Sequence, residues 1–312
     1  MFAPPFVPPV EETKALLEKK STEKPDLKDS YQEIKISDGD RAFHYDLSWL
    51  AQDCYRGDGD KRGYKELEQY AKDDFWGFKA KVYKNEKTNT IVIAYAGSSS
   101  TSVCDMWNNL VVKCGGLPPQ YKNAMDLYME IANDPEIVKN NSKIVVVGHS
   151  LGGNLAQLVA STTKYKGENV KPPATCVSFN TPPIKDIIND KDDEKTVISD
   201  LGNTINYFQP GDKLTVENLN EAFEGYPGVV AEFNQEKVSS STFIKETVKD
   251  VIASCSLTKG EPIFNNEKIK LSEIPPGSSL FPEHSILRFM EDYKQKFSGV
   301  KYYQPVPTLP VK

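Results

Sequence analysis

The pentapeptide Gly148-His149-Ser150-Leu151-Gly152 is the feature that most constrains how this chain can fold. Residues 144–147, just before it, are all β-branched, which is typical of a strand buried on both faces of a parallel sheet. After it, apolar residues recur at helical spacing and predict a helix with one buried stripe, formed by Leu155, Leu158, Val159 and Thr162. A strand that passes into a helix through G-x-S-x-G has no residues for an ordinary loop, so Ser150 is expected on a sharp, strained turn.

A serine held on such a turn is a candidate nucleophile. The flanking glycines lack the Cβ atoms that would collide with the neighbouring strand and helix. The first turn of the helix aims free N–H groups and the positive end of its dipole at any oxyanion formed beside Ser150 Oγ. A structural Gly-Ser turn is the alternative, but the strand and helix around the motif favour the nucleophile. We therefore predict Ser150 as the nucleophile and the Leu151 N–H as an oxyanion-hole donor.

The general base is predicted by elimination, because the chain has 3 histidines. His44 precedes the expected sheet and His149 lies inside the pentapeptide, which leaves His284 near the C-terminus. A serine on this kind of turn is followed along the chain first by an acid and then by a histidine, and His284 alone fits that order. We therefore predict His284 as the base of a catalytic triad.

The acid is expected just after a strand, where polar residues collect at the edge of an α/β sheet. Residues 204–208 read as a buried strand, and Asp212 follows them closely. Asp186 and Asp190 are rivals in the charge-rich segment 184–200, which reads as a surface excursion. We favour Asp212 because it alone follows a clear strand at short distance.

A second oxyanion donor is expected after the strand predicted over 90–96. That strand ends in Gly97 and three serines, so the backbone N–H and hydroxyl of Ser98 are predicted to face the Leu151 N–H. A plain Ser-rich turn is the alternative.

Residues 102–114 predict an amphipathic helix with more apolar residues than one buried stripe needs, among them Trp107, Leu110 and Val111. The helix is expected either to cover the site as a lid or to belong to the core, since amphipathicity does not separate the two. As a lid, it would turn outward at a lipid surface and expose Ser150, so that activity rises when the substrate aggregates.

Composition excludes some classes of partner. The chain has 312 residues, a net charge of −6 and no basic block that would neutralise phosphates, so nucleic acid is not an expected partner. No stretch reaches the ~18 apolar residues of a membrane-spanning helix. The 5 cysteines form no C-x-x-C pair, so we expect no zinc site and reduced thiols, with a Cys104–Cys114 bridge as the alternative. Triad chemistry needs no metal or other cofactor, and none is expected.

The sequence divides into an arm, one large domain and a tail. Residues 1–30 read as a mobile arm, and residues 1–10 lack the basic start and unbroken apolar run of a secretory signal. Residues 31–298 are expected to form the globular domain, with an inserted cap over 213–283 that holds a helix at 242–255 and a hairpin at 263–271. Residues 299–312 read as a C-terminal tail. We expect a cytoplasmic protein, or one exported without a signal peptide.

The remaining periodicities predict strands that alternate with helices. We expect a helix over 46–55 capped by Asp46, a strand pair over 78–83 and 90–96, a helix over 120–134, and strands over 174–179 and 204–208. Apolar strands that alternate with helices are the signature of an α/β protein. The predicted fold class is therefore α/β, with a mostly parallel central sheet and helices on both faces.

Five parts of the sequence fit the pattern of one known family: YAGSSS at 95–100, GHSLGGNLA at 148–156, NTP at 180–182, NYFQPGDKL at 206–214 and the late His284. Together they resemble the lipase class 3 (fungal-type lipase) family of the α/β-hydrolase superfamily, in a bacterial branch. The resemblance implies a triad of Ser150, Asp212 and His284, oxyanion donors at Ser98 and Leu151, and a lid in the 102–114 helix. The long segment between acid and histidine and the missing secretory signal depart from the family pattern.

These residues predict a serine hydrolase that cleaves carboxylic esters of lipids, as a lipase, phospholipase or esterase, through an acyl-enzyme. The expected partners are a lipid or small ester substrate and, transiently, a lipid interface. A thioesterase, acyltransferase or peptidase is the first alternative, because triad chemistry does not select its acyl acceptor. A non-catalytic effector or binding module on the same scaffold is the second.

Overall fold

The structure is a computed structural model. It describes residues 27–56, 61–74, 78–97, 117–118, 120–185, 195–199, 201–212, 215–216, 218–233, 263–264, 267–268, 297 and 299–306. Several residues named above lie outside the described residues: Ser98, Cys104, Trp107, Leu110, Val111, Cys114, Asp186, Asp190 and His284. The helices predicted over 102–114 and 242–255 lie outside them too, as do residues 1–26 and most of the predicted cap.

The helices of the described chain are α1 (Asp38–Arg56), α2 (Tyr121–Ala132), α3 (Pro135–Lys139), α4 (Leu151–Ser161) and α5 (Leu219–Gly225). Short 3-10 helices cover Leu27–Ser30 and Glu68–Tyr70. The strands are β1 (Tyr31–Ile34), β2 (Lys65–Glu66), β3 (Lys72–Asp73), β4 (Lys79–Asn85), β5 (Thr90–Tyr95), β6 (Lys143–His149), β7 (Thr162–Tyr165), β8 (Glu168–Asn169), β9 (Thr175–Phe179), β10 (Val197–Ile198), β11 (Thr204–Phe208), β12 (Val229–Glu232), β13 (Ile263–Phe264), β14 (Glu267–Lys268) and β15 (Lys301–Pro305).

One large sheet organises the fold, in the order β1-β15-β12-β11-β9-β6-β5-β4-β2, with β3 also paired to β4. Its central strands β12, β11, β9, β6 and β5 are parallel, whereas the strands towards both edges pair antiparallel. A small sheet β10-β7-β8 and the hairpin β13-β14 are separate. The mostly parallel α/β architecture predicted from the sequence is confirmed.

Alternate residues of the central strands face two apolar layers, which explains why these strands are apolar without interruption. In β5, Ile91 and Ile93 belong to the layer with α2 and α4, while Val92 and Ala94 belong to the layer with α1. The helix α1 packs on β4, β5 and β6, and α4 packs on β5, β6 and β9. The predicted helices on both faces of the sheet are therefore present.

The helix α1 begins at Asp38, so the prediction that Asp46 caps its start is wrong. Ser37 is the cap, because its Oγ accepts the Asp40 N–H at 3.0 Å and its hydroxyl donates to the Asp40 carboxylate at 2.6 Å. Asp46 lies inside the helix and accepts a hydrogen bond from Arg62 Nε at 2.9 Å. The prediction placed the start of the helix at the first apolar residues of the stripe, but the helix begins about two turns before them.

The helix α4 is buried all round rather than along one stripe, with all 11 residues inaccessible to solvent or nearly so. Thr162, which was expected to continue the stripe, instead begins β7. Its hydroxyl donates to the Leu158 carbonyl at 2.7 Å and so satisfies a carbonyl that the end of the helix leaves open. The helix therefore ends one residue before the last position of the predicted stripe.

Residues 301–305 form β15 rather than part of a C-terminal tail. This strand pairs antiparallel with both β1 and β12, and so gives each of them a hydrogen-bonded neighbour. Tyr302 enters the core, where its hydroxyl lies 3.0 Å from the hydroxyl of Tyr207 on β11. These pairings join segments that are distant in the sequence, which is why the short strand reads as a tail.

The strand β12 lies within 213–283, so the prediction that this whole range is an inserted cap is wrong. β12 pairs with β11 and β15 in the large sheet, and such long-range pairing leaves no local signal in the sequence.

The other predicted elements that the structure describes are confirmed. The β4–β5 pair, α2, β6, β9 and β11 fall where the periodicities place them, and the hairpin over 263–271 appears as β13-β14. Cys54 and Cys176 are buried free thiols, as expected. Within the described ranges no helix combines the length and apolar character needed to cross a bilayer.

Candidate active site

Ser150 lies on a sharp turn between β6 and α4. Its backbone has φ 57° and ψ −130°, a region that costs a non-glycine residue about 1–3 kcal/mol. Its N–H donates to the Phe179 carbonyl at 3.0 Å, and its own carbonyl accepts the Asn154 N–H at 3.1 Å. The strained turn expected from G-x-S-x-G is therefore present, and the backbone around it is fixed on both sides.

The glycines of the pentapeptide are required by close backbone contacts. A Cβ at Gly148 would overlap the carbonyl of Gly152, and a Cβ at Gly152 would overlap the carbonyl of Tyr95 on β5. The turn therefore packs directly on the end of the neighbouring strand. No other residue type fits at either position without displacing backbone.

The end of β5 approaches the nucleophile turn closely. A Cβ at Gly97 would lie 3.1 Å from the His149 carbonyl oxygen and 3.3 Å from Ser150 Cβ. Leu151, on the other side of Ser150, is the first residue of α4 and is buried, so its N–H belongs to the positive end of the helix dipole. The two segments predicted to supply oxyanion donors therefore converge on Ser150, although Ser98 itself lies outside the described residues.

Tyr55 is a site residue that the sequence interpretation missed. Its phenolic oxygen accepts the Gly97 N–H at 2.8 Å and lies 3.2 Å from Nδ1 and 3.3 Å from the carbonyl oxygen of His149. Burial raises the pKa of the Tyr55 phenol, so it stays protonated at neutral pH. In the sequence Tyr55 is only the last residue of the helix predicted over 46–55, and nothing in that pattern indicates its contact with the end of β5.

Asp212 is completely buried after the end of β11. Its N–H donates to the Gln209 carbonyl at 3.1 Å, and its Oδ2 accepts the Thr215 hydroxyl at 2.5 Å. Burial raises the pKa of the nearby Tyr226 phenol, and the negative charge of Asp212 raises it further. The carboxylate is thus held in a polar pocket built by side chains that follow β11.

Ser150 and Asp212 lie at the same edge of the sheet. Both follow the carboxyl end of a parallel strand, and β9 is the one strand between β6 and β11. The two residues after β9, Asn180 and Thr181, contact both neighbouring loops, and the sequence indicates them only as part of the NTP motif.

His284 lies outside the described residues, so its role as base stays a prediction. In the described part of the chain, no group of three or more His, Cys, Asp and Glu residues is arranged to hold a metal ion.

A parallel sheet, a serine at positive φ between strand and helix, and a buried acid at the same sheet edge define an α/β-hydrolase with a nucleophile elbow. Residues 48–171, which include the elbow, match the family model of the Tle-like phospholipase domain, a phospholipase-like family. The protein is a carboxylic ester hydrolase of the lipase and phospholipase type, and the lipase resemblance seen in its sequence is confirmed. The resemblance to a bacterial branch of that family stays a prediction.

Solved structures with a similar arrangement are fungal lipases. A lipase from Rhizopus microsporus var. chinensis has 13% identity, covers 69% of this chain and 82% of its own, and gives a TM-score of 0.44. Lip2 from Yarrowia lipolytica has 16% identity, with 64% and 82% covered and a TM-score of 0.39. A triacylglycerol lipase from Penicillium expansum has 13% identity, with 64% and 82% covered and a TM-score of 0.38. No curated protein matches the sequence significantly.

Proposed function

We propose that the protein hydrolyses acyl ester bonds of phospholipids, with Ser150 as covalent nucleophile, His284 as general base and Asp212 as triad acid. The observation that carries this proposal is the strained backbone of Ser150 at the N-terminus of α4. This backbone conformation costs free energy, and such strain is typically kept where the side chain has a functional role. The family match over 48–171 supports a phospholipid as the substrate class.

In the proposed acylation step, Ser150 Oγ attacks the ester carbonyl carbon while His284 takes the hydroxyl proton. The bond from the carbonyl carbon to the leaving oxygen then breaks, and the imidazolium returns its proton to the departing alkoxide. Water attacks the acyl-enzyme with the same histidine as base, and collapse of the second intermediate releases a fatty acid. Each cycle therefore consumes one water and restores the proton to Ser150 Oγ.

Asp212 is proposed to hold the imidazole in the productive tautomer and to stabilise its cation. Its complete burial supports this role, because a carboxylate that is shielded from water exerts a strong field on a neighbouring imidazolium. The 2.5 Å hydrogen bond from Thr215 to Oδ2 fixes the carboxylate. Its position after β11 favours Asp212 over Asp186 and Asp190.

The oxyanion is proposed to bind the N–H groups of Leu151 and Ser98. The N–H of Leu151 stands at the start of an 11-residue helix, where the dipole favours negative charge. The close approach of Gly97 to the elbow supports Ser98, the next residue, as the second donor. Removal of one such donor in other hydrolases costs on the order of 100- to 1,000-fold in kcat.

Residues 102–114 are proposed to form a lid over the site, with Trp107, Leu110 and Val111 on its apolar face. We expect activity on a short-chain phosphatidylcholine to jump as the substrate passes from monomers to micelles. Trp107→Ala should reduce that jump more than it reduces hydrolysis of a soluble ester. A wild-type rate that rises smoothly through the micellar threshold would rule out the lid.

Release of fatty acid from phosphatidylcholine vesicles, measured beside p-nitrophenyl esters and matched amides and thioesters, tests the proposed function. The wild type should cleave the esters, and Ser150→Ala, at equal folded concentration, should cleave none of them. Preference for thioesters or amides would move the protein to the corresponding alternative class. A wild type that is inert on every substrate would favour a binding module.

A further inference from the structure

We propose that Asn180 and Thr181 hold the nucleophile turn at Ser150 at a fixed distance from the acid loop, residues 209–212. We call this pair of residues the bracket. They would then be positioning residues for the triad. This inference rests on the proposed function, because it concerns how Ser150 and Asp212 are placed for catalysis. The bracket follows β9, the strand that lies between β6 and β11, and both of its residues are completely buried.

Thr181 holds the nucleophile side of the bracket. Its hydroxyl donates to the carbonyl oxygen of Ser150 at 2.9 Å, and the carbonyl of Phe179 accepts the Ser150 N–H at 3.0 Å. A Cβ at Gly153 would overlap Thr181 Oγ1, so this hydroxyl also packs on the first turn of α4. The last residue of β9 and the Thr181 hydroxyl therefore bind the two backbone polar groups of Ser150.

Asn180 holds the acid side. Its Oδ1 accepts the N–H of Gln209 at 2.8 Å, and its own N–H donates to the carbonyl of Tyr207 at 2.8 Å. Gln209 is the first residue after β11, and its carbonyl in turn accepts the N–H of Asp212. A single side-chain oxygen of Asn180 therefore fixes the start of the turn that ends at the proposed triad acid.

Tyr226 closes the bracket from the far side. Its hydroxyl donates to the carbonyl of Thr181 at 2.6 Å. The same phenol interacts with the Thr215 side chain, whose hydroxyl binds Asp212 Oδ2. A continuous path of contacts therefore runs from the backbone of Ser150 through Thr181 and Tyr226 to the carboxylate of Asp212.

The residue type at position 180 indicates that the side chain matters. Asn180 has φ 40°, in the left-handed region that glycine adopts at least cost and asparagine tolerates. Glycine would satisfy the backbone there but would lack the oxygen that binds Gln209. Loss of that oxygen frees the acid loop to move, and a misplacement of ~1 Å can cost about 100-fold in rate.

Asn180→Gly tests the bracket, and Asn89→Gly is its matched control. Asn89 also has a positive φ, 49°, and its Oδ1 accepts a hydrogen bond from the Ser142 hydroxyl at 2.7 Å. It lies before β5, at the amino end of that strand and so at the opposite end of the parallel strands from Ser150. For p-nitrophenyl butyrate, Asn180→Gly should lower kcat about 10- to 100-fold with KM within about 2-fold. Asn89→Gly should leave kcat unchanged.

The pH profile separates a positioning role from a loss of stability. An ionised Asp212 close to the triad histidine raises the pKa of the imidazole, and a loosened Asp212 raises it less. The acid limb of the kcat/KM profile should therefore move to lower pH in Asn180→Gly and stay in place in Asn89→Gly. A purely structural role for Asn180 would move the urea midpoint without moving this limb.

Thr181→Ala and Thr181→Ser form a second pair that tests the other side of the bracket. Serine keeps the hydroxyl that binds the Ser150 carbonyl, so kcat should stay within about 3-fold of the wild type. Alanine removes that hydroxyl, and kcat should fall about 10-fold below the serine variant. This pair assigns the effect to the hydroxyl even if Asn180→Gly does not fold.

The bracket and the proposed function fail in different ways. If the wild type does not hydrolyse the ester and Ser150→Ala behaves identically, the proposed function fails and the bracket fails with it. If the wild type is active, the bracket is overturned when Asn180→Gly keeps the kcat and acid limb of Asn89→Gly and Thr181→Ala keeps the kcat of Thr181→Ser. The proposed function would survive that second result.

Discussion

The phenolic oxygen of Tyr55 accepts a 2.8 Å hydrogen bond from the N–H of Gly97. The same oxygen lies 3.2 Å from Nδ1 of His149, the residue before the nucleophile. One hydroxyl at the end of α1 therefore connects the end of β5 to the elbow. A Cβ at Gly97 would lie 3.3 Å from Ser150 Cβ, so the segment that this hydroxyl binds packs directly on the nucleophile turn.

Tyr55→Phe should lower kcat for a soluble ester about 10-fold with little change in KM, because Gly97 loses its acceptor while the ring still packs. Tyr70→Phe is the matched control. Its hydroxyl donates to Asp134 at 2.7 Å, away from the elbow, and its removal should leave kcat unchanged. Steady-state kinetics that give the same kcat for both variants would exclude a role for the Tyr55 hydroxyl in the site.

Thr215→Val should lower kcat/KM about 10-fold, because the variant removes the hydroxyl that fixes Oδ2 of Asp212 and leaves that oxygen without this donor. Thr215→Ser keeps the hydroxyl and should retain most of the activity. Asp212→Asn should cost far more, about 10,000-fold, if Asp212 orients the histidine. Comparable activity in Asp212→Asn and the wild type would show that Asp212 is not the triad acid.

Gly152→Ala should cost at least about 3 kcal/mol of unfolding free energy, since the new Cβ overlaps the Tyr95 carbonyl and forces backbone to move. Gly39→Ala, in the first turn of α1, is the control. Its Cβ would meet only Ser37 Oγ at 3.7 Å, so the variant should be neutral or more stable by up to about 1 kcal/mol. Urea unfolding measures both, and a small loss for Gly152→Ala would contradict the tight elbow packing.

His44 makes stability depend on pH. It is buried in the core with Nδ1 2.9 Å from the Tyr207 hydroxyl, and burial lowers its pKa from 6.5 to about 4 despite the opposing charge of Asp40. Well above pH 6.5 this imidazole is neutral in both the folded and the unfolded chain. As the pH falls from 6.5 to about 4 the unfolded chain binds the proton first, so the contribution of His44 to stability is progressively lost.

This pH dependence should amount to about 2 kcal/mol of unfolding free energy between pH 7.5 and pH 5. His44→Gln replaces the imidazole by an amide that does not titrate and can still reach Tyr207. The variant should therefore lose about 2 kcal/mol less than the wild type over the same range. Urea unfolding at the two pH values measures the difference, and parallel losses in both proteins would contradict the assignment.

The elbow and its strand could be predicted from the sequence because their signals are local. Gly148 and Gly152 lie within the turn that needs them, and the buried strand before Ser150 leaves an unbroken apolar run. Asp212 could be located for the same reason, since it follows another apolar strand closely. Local signals also misled at α1, where the apolar stripe concealed the capping pair that starts with Ser37.

The contacts that join the elements could not be predicted, because they connect residues with no shared periodicity. Tyr55 lies 42 residues from Gly97, and Asn180 lies 29 residues from Gln209. The strand β15 depends on partners in β1 and β12 that its own sequence does not indicate. Such pairings depend on the order of the strands in the sheet, and a local sequence pattern does not indicate that order.

Intact mass measurement after a short incubation with an activated ester tests the central claim, that Ser150 forms an acyl-enzyme. With p-nitrophenyl butyrate at low temperature, the wild type should gain the mass of one butyryl group, mapped by peptide analysis to Ser150, together with a burst of p-nitrophenol. Folded Ser150→Ala should show neither. Hydrolysis by the wild type that persists undiminished in Ser150→Ala, or acylation at another residue, would contradict the account.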